Sequence, residues 1–203
     1  MICGLTTKNL NRTFQGLAAK FLETGTGVKA LKEHFAEKTG DSTRFPSDAD
    51  LRKGFLETNA YHSIKPRPRL MDILWELEKA SRSNLAEKTT TPPSLWIEHV
   101  MPQNWTEEWP FDDGLNRALS DETPEVLSRN HTLNSFGNLS LTSDALNISA
   151  GNKSFSKKKE KFRKNSGLFL NKWFLEKSSW TEVDILERGE HLAELASSIW
   201  KPL

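Results

Sequence analysis

The sequence has few of the residues that mark secreted, zinc-binding or membrane proteins. Cys3 is the only cysteine, which excludes a disulfide framework and a cysteine-based zinc site and favours a cytoplasmic protein. No apolar run approaches the roughly 20 residues that a membrane-spanning helix needs. The N-terminus also lacks the charged segment followed by an apolar segment that marks a signal peptide. We therefore expect no membrane partner.

A strong net charge is missing as well. The formal net charge is +1, so no overall basic field points to nucleic acid. The charges are nevertheless unevenly distributed. Residues 102–130 hold seven acidic and two basic side chains, whereas residues 151–172 hold eight Lys or Arg and one Glu. A concentrated basic patch is a better indicator of nucleic-acid binding than overall charge.

The chain divides into two regions by composition. Residues 8–85 show helical spacing of apolar side chains and contain no recognisable catalytic set. A polar segment that ends in Thr-Thr-Thr-Pro-Pro (89–93) follows, so we place a domain boundary near residue 88. This predicts a helical platform over 1–88 and a second domain over 89–203. The helical pattern begins almost at once, and we expect the chain to be the C-terminal part of a longer protein.

The second region alternates between short strands and helices. Bulky apolar residues predict a strand over 95–100, and the alternation of 139–142 after a Gly-Asn turn predicts a second strand, hairpin-paired with the first or with a neighbour. Between them we expect an acidic loop with one short helix around 115–119. A helix should begin at Asp144, and a basic helix capped by Ser154 should follow. The fold class is thus α+β, predominantly α, with a small ββα element.

The chemistry is concentrated at the end of the first predicted strand. Glu98 and His99 are adjacent there, and Pro102 closes the run. Neighbouring strand residues point to opposite faces, so the chain must bend for both to reach one substrate. A histidine base together with one divalent ion held by a sparse set of oxygen ligands meets the needs of phosphodiester hydrolysis. Asn138 and Asn147 follow, nine residues apart.

These residues together resemble the HNH (His-Me finger) nucleases. The resemblance rests on Glu98-His99-Val100-Met101-Pro102-Gln103, on Asn138-Leu139-Ser140-Leu141 and on Asn147. A closer resemblance, to the C-terminal nuclease domain of GmrSD-type and SspE-like phage-restriction proteins, covers about residues 92–201. It rests further on Phe136-Gly137, Asn152-Lys153-Ser154-Phe155 and Trp180-Thr181 with Ile185-Leu186-Glu187-Arg188. In those proteins the domain follows a ParB-like NTPase domain through a helical connector, which residues 1–85 resemble.

The resemblance implies a fold, a function and a set of site residues. The fold would be a ββα-metal core embedded in helices, and the function would be metal-dependent nicking or cleavage of phage DNA. His99, Asn138 and Asn147 would form the catalytic set, in which His99 activates water, Asn147 ligates the metal and Asn138 supports the His99 loop. Glu98 stands where related nucleases place a metal-ligating Asp, although it is one methylene longer. Asn147 replaces a common histidine, which favours Mg²⁺, Mn²⁺ or another hard divalent ion over zinc.

The basic helix is the predicted DNA-binding surface. The residues assigned to it are Asn152, Lys153, Ser154, Lys157, Lys158, Lys159, Lys161 and Arg163. Lysines can neutralise phosphates, and the backbone amides at the N-terminus of the helix could hold one. Such a run is also typical of a plain solvated helix face.

Two other functions fit the same residues. A non-catalytic DNA-binding or interaction module would retain the basic helix and a vestigial HNH site. In such a site Asn138 would only form a turn and Asn147 would only cap a helix. RNA is a further possible substrate, because the sequence contains nothing that excludes it. Nicking that requires Mg²⁺ and is lost with EDTA distinguishes the nuclease from the module.

Overall fold

The structure is a computed structural model that describes residues 2–6, 8, 10–25, 27–83, 94–111, 113–115 and 117–201. The helices within these ranges are α1 (Leu10–Thr24), α2 (Val28–Ala36), α3 (Asp48–Glu57), α4 (Ala60–Ser63), α5 (Arg67–Ala80), α6 (Pro124–Thr132), α7 (Asp144–Ala150), α8 (Phe155–Asn165), α9 (Phe169–Leu175) and α10 (Glu182–Ile199). The strands are β1 (Trp96–His99) and β2 (Leu139–Thr142), and a 3-10 turn (Phe136–Asn138) leads into β2. The predicted class, α+β and predominantly α, is confirmed at this level.

The two strands form one antiparallel pair, as predicted. Glu98 lies opposite Ser140, and His99 lies opposite Leu139. All four residues of β2 are buried, because α5 and α9 pack against this strand. A two-stranded hairpin is marginally stable alone, so the surrounding helices must stabilise it. The order along the chain is β1, β2 and then α7, which also contacts β1.

Helices from both predicted regions share one hydrophobic core. The Phe55 ring of α3 stacks on Phe136 with 4.3 Å between ring centroids. Leu74 of α5 and Leu192 of α10 belong to the same buried cluster. The folding unit therefore extends across position 88. The predicted boundary near residue 88 lies within residues 84–93, which are outside the described residues. The division into 1–88 and 89–203 therefore stays a prediction.

The last helix packs closely on the turn before β2. Thr181 and Asp184 form the predicted capping box at the start of α10. Arg188 of α10 is fully buried and donates hydrogen bonds to the carbonyl oxygens of Gly137 and Leu139, at 2.7 and 2.9 Å. A Cβ on Gly137 would overlap the carbonyl oxygen of Ile185. Glycine at 137 is thus required for this close approach of two backbones.

The prediction of a short helix around residues 115–119 is wrong. The described residues of that stretch are not helical, and Leu115 and Leu119 are exposed, so their four-residue spacing has no core to face. The helix of this region is α6, within the stretch expected to be irregular. Its start carries ordinary signals: the Thr123 side chain accepts a hydrogen bond from the Val126 amide, and Pro124 occupies the first turn.

Within the described ranges, no helix combines the length and the apolar character that crossing a bilayer requires.

We predict that Gly137→Ala destabilises the fold by about 2–3 kcal/mol, because the added methyl group forces α10 away from the 3-10 turn. Urea denaturation followed by circular dichroism measures the change. Gly167→Ala is the matched control, because nothing lies within 4 Å of a Cβ there. Equal stabilities of the two variants would show that α10 does not need the close approach.

Candidate active site

The adjacent Glu98 and His99 side chains reach different parts of the fold. Strand geometry directs neighbouring side chains to opposite faces. Glu98 accordingly meets Lys158 of α8, whereas the His99 ring meets Asn134 and Tyr61. The end of β1 is therefore the point where α8 and α4 converge.

The hydrogen bonding of His99 leaves one ring nitrogen available as a base. Its Nε2 lies 3.1 Å from Asn134 Oδ1, which also accepts a hydrogen bond from Gln103 Nε2 at 2.9 Å. An amide oxygen can only accept, so the ring hydrogen resides on Nε2. Nδ1 then carries the lone pair, and no hydrogen bond in the described part of the chain involves it. His99 is 8% exposed.

The surroundings of His99 keep the imidazole neutral. Burial is the main cause that lowers the pKa of His99 from 6.5 to about 4; the hydrogen bond of Asn134 opposes this shift, and the nearby Lys158, Arg67 and His62 add to it. A general base must be unprotonated to accept a proton. At neutral pH, His99 is in that form.

Asn138 holds together the segments around the His99 loop. Its Oδ1 accepts hydrogen bonds from the Met101 amide at 2.8 Å and from Trp180 Nε1 at 3.0 Å. Its Nδ2 donates to the carbonyl oxygens of Met101 and Leu133, each at 2.8 Å. The side chain is fully buried, and these four bonds use its full capacity. Asn138 therefore positions the loop after His99 and has no oxygen left for a metal.

Glu98 is engaged in a buried ion pair. Lys158 Nζ lies 2.5 Å from Glu98 Oε1 and donates a second hydrogen bond to the His99 carbonyl oxygen at 2.7 Å. Burial raises the pKa of the Glu98 carboxyl and lowers that of the Lys158 ammonium, and the attraction between them opposes both shifts. Losing one partner of such a pair typically costs about 3–5 kcal/mol, because the other charge is left buried.

The oxygen donors predicted to bind a metal are of the right chemical type but few. Asn147 lies half-buried on α7, and its side chain makes no hydrogen bond within the described residues. In those residues no group of three or more His, Cys, Asp or Glu side chains is arranged to hold a metal. Mg²⁺ needs only one or two protein ligands, so the Asn147 amide and the Glu98 carboxylate fit it chemically. Lys158 occupies one of the carboxylate oxygens.

Three of the predicted DNA-binding lysines share one shallow depression. Lys153, Lys157 and Lys161 line it, and its volume is about 290 Å³. Lys157 is exposed and pairs with Glu108 at 3.1 Å. Lys153 and Lys161 both bind Ser149, through its carbonyl oxygen and its hydroxyl. This surface carries positive charge and is open to a ligand.

The other predicted DNA-binding residues lie elsewhere. Lys158 is only 2% exposed and faces inward, which removes it from the surface. Lys159 and Arg163 donate to carbonyl oxygens at the end of α9. Asn152 is exposed, and Ser154 occupies the N-cap position of α8 without a capping hydrogen bond from its side chain.

The sequence reasoning missed three residues that surround His99. Asn134 is 35 positions away and Tyr61 belongs to the helical platform, where no site residue was expected. Lys158 was counted as one of several surface lysines. Its position one helical turn after Ser154, three residues from Phe155 and four from Phe162, placed it on the buried face of α8. That spacing was the available signal.

Comparison with known proteins identifies one family. The model of the family described as GmrSD restriction endonucleases, C-terminal domain, matches residues 45–195. The match begins before α3 and ends within α10, so it includes α3–α5 as well as the site. No curated protein and no solved structure matches the chain.

We predict that the free energy of unfolding falls as the pH drops from about 6.5 to about 4, partly because of His99. The unfolded chain binds the proton below 6.5, whereas the folded chain resists it down to about 4. Relative to His99→Gln, the wild type should lose about 3 kcal/mol across this window. Urea denaturation at a series of pH values measures the difference, and parallel curves would show that His99 titrates normally.

Proposed function

Because the chain belongs to the family of GmrSD restriction endonuclease C-terminal domains, we propose that it is an HNH-type, metal-dependent DNA endonuclease. The family membership gives it a function of the restriction endonuclease type. The observation that carries the finer assignment is His99, held neutral at the end of β1 with Nδ1 free. Its neighbours β2 and α7 follow in the ββα order, and α7 carries Asn147.

The proposed chemistry begins at His99 Nδ1. This nitrogen accepts a proton from a water molecule as the water oxygen attacks the phosphorus of a DNA phosphodiester. The P–O bond to the leaving oxygen breaks, and that oxygen takes up a proton from solvent. The proton on the imidazole is then released to solvent. Asn134 keeps the ring oriented through Nε2, and Asn138 keeps the loop after β1 in place. A positioned base of this kind typically contributes about 10²–10⁴-fold to the rate.

The divalent ion of the proposal belongs beside Asn147 and Glu98. When bound, Mg²⁺ or Mn²⁺ neutralises charge on the leaving oxygen. Asn147 offers an amide oxygen and Glu98 a carboxylate, which are hard ligands. The Lys158 ammonium and the ion would compete for the same carboxylate.

DNA binding is assigned to the depression on α8. Lys153, Lys157 and Lys161 supply its positive charge, and Asn152 lies exposed just before the helix. Lys159 and Arg163 are peripheral to it, and Lys158 acts inside the protein. Contacts of this kind bind phosphates without reading base sequence.

The biological setting proposed is cytoplasmic restriction of phage DNA. A ParB-like NTPase domain in a longer protein is the proposed partner that would control when the nuclease acts. These assignments follow from the resemblance on which the site residues are based.

One observation favours a second candidate, a DNA-binding module whose site is vestigial. The Glu98 carboxylate is already neutralised by Lys158 at 2.5 Å. A protein that no longer binds a metal would be stabilised by such an internal counter-ion. The two functions differ in whether a divalent ion supports strand cleavage.

We predict that His99→Ala abolishes nicking of supercoiled plasmid in the presence of Mg²⁺, because the substitution removes the proposed base. Agarose gels that resolve supercoiled from nicked plasmid measure the rate, and circular dichroism checks that the fold is retained. His131→Ala, on the exposed surface of α6, is the control and should nick at the wild-type rate.

Either of two results would contradict the assignment as a metal-dependent nuclease with His99 as its base. The first is wild-type nicking by the folded His99→Ala protein. The second is nicking by the wild type that continues in EDTA, which would exclude the metal. A wild type that binds DNA but never nicks would support the vestigial module.

We predict that Lys158→Gln increases the stabilisation of the protein by Mn²⁺. Removing the ammonium leaves the Glu98 carboxylate without a counter-ion, so a divalent ion gains affinity for it. The rise in melting temperature with added Mn²⁺ measures this gain relative to the wild type. The Glu98→Gln/Lys158→Gln double variant is the control and should show no gain. Equal Mn²⁺ shifts in all three proteins would show that Glu98 is no metal ligand.

A further inference from the structure

A short basic turn lies beside the site, in the part of the chain to which no function was assigned. It is the 65–69 turn, Lys65-Pro66-Arg67-Pro68-Arg69, and it joins α4 to the N-terminus of α5. Three of its five residues are cationic. Lys65 and Arg69 are exposed, and Arg67 is half-buried. In the described part of the chain, neither Lys65 nor Arg67 forms a salt bridge with a carboxylate.

Tyr61 connects this turn to His99. The Tyr61 ring contacts the His99 ring edge-on, with 4.5 Å between centroids. Cζ of Arg67 lies 3.6 Å from the centroid of the same Tyr61 ring. These two distances place the Arg67 guanidinium within about 8 Å of the His99 ring. Both groups contact the Tyr61 ring, so Arg67 and His99 border the same part of the site.

The position of Arg67 is fixed by contacts that leave most of its N–H donors without a partner among the described residues. Nη1 donates to the Tyr61 carbonyl oxygen, and the guanidinium stacks on the Tyr61 ring. Tyr61 is itself tied to the site, because its amide donates to the Asn134 carbonyl oxygen at 3.2 Å. A guanidinium has five N–H donors in a planar fork that matches two phosphate oxygens. Arg67 is thus a preorganised donor next to the proposed base.

We propose that the 65–69 turn is a second DNA-phosphate binding site and that Arg67 contacts the phosphate that His99 hydrolyses. This inference rests on the proposed function. A DNA strand at His99 has phosphates on both sides of the scissile one, and Lys65 and Arg69 bind these neighbours. DNA then contacts the protein on two sides of His99. Helix α8 packs on the side of the His99 backbone carbonyl through the buried Lys158, and the 65–69 turn lies on the side of the His99 ring, next to Tyr61.

A purely structural role for Arg67 makes different predictions. If the guanidinium only supported Tyr61, its loss would lower stability without changing the number of phosphates bound. The dependence of DNA affinity on salt counts those contacts, because log K falls with log salt by about 0.9 per neutralised phosphate. Salt dependence therefore distinguishes a ligand from a support.

The binding test uses the His99→Ala form of the 203-residue chain and a short DNA duplex, so that cleavage does not interfere. Lys65→Ala, Arg67→Ala and Arg69→Ala should each weaken binding and reduce the salt slope by about 0.9. Lys29→Ala on α2 is the matched control, since this exposed lysine pairs with Glu33 away from the site, and it should leave the slope unchanged. Arg67→Lys should retain the slope of the wild type.

The kinetic test uses the chain with His99 intact and supercoiled plasmid. Arg67→Ala should lower kcat by at least about 10-fold, because its charge is needed as negative charge develops on the phosphate. Lys65→Ala and Arg69→Ala should raise KM and leave kcat unchanged. Melting temperatures of all variants check that the fold is retained.

Unchanged salt slopes and kcat in the folded Arg67→Ala protein would overturn the proposal while the nuclease assignment stands. A lower melting temperature with an unchanged slope would do the same, by showing that Arg67 is structural. If the three substitutions reduce the salt slope of DNA binding but the wild type never nicks plasmid, the proposed phosphate-binding site stands and the nuclease assignment is wrong. If the wild type binds no DNA, the proposal that the 65–69 turn binds DNA phosphates is wrong.

Discussion

The four hydrogen bonds of Asn138 are the constraint on which the site depends. They join the loop after β1, the end of α6 and the indole of Trp180 in one buried side chain. The Asn138 carbonyl oxygen also accepts a hydrogen bond from the Val100 amide at 3.0 Å. Because an unpaired buried amide is costly, this network specifies one path for the chain after His99. The orientation of His99 follows from that path.

Electrostatics at the site favour a neutral base surrounded by cations. Lys158 contacts the His99 backbone, and Arg67 and His62 are near enough to His99 to lower its pKa. Such an environment keeps the imidazole unprotonated, and in the proposed function it would also attract a phosphodiester. It also opposes a divalent ion at Glu98, whose carboxylate already has a counter-ion. In the proposed mechanism, Lys158 and the ion would therefore compete for Glu98.

Much of the site could be predicted from local sequence, because its motif is local. Glu98 and His99 end a strand of bulky residues, Asn138 follows a turn, and Asn147 lies one turn into the next helix. The contacts that orient His99 could not be predicted in this way. Asn134 and Tyr61 approach it from distant points of the chain, and only the packing of α4 against the end of β1 brings them together.

The sequence by itself determined the helical class, the paired strands, the capping box of α10 and the residues of the HNH-like motif, because propensity, periodicity and spacing are local properties. The tertiary structure alone decided which charges are buried. It turned Lys158 from one of a run of lysines into the partner of Glu98, since the apolar neighbours Phe155 and Phe162 direct that face of α8 inward. It also placed helices from before residue 88 in the same core and beside the same histidine, because burial of apolar surface acts between segments without regard to their separation in the chain.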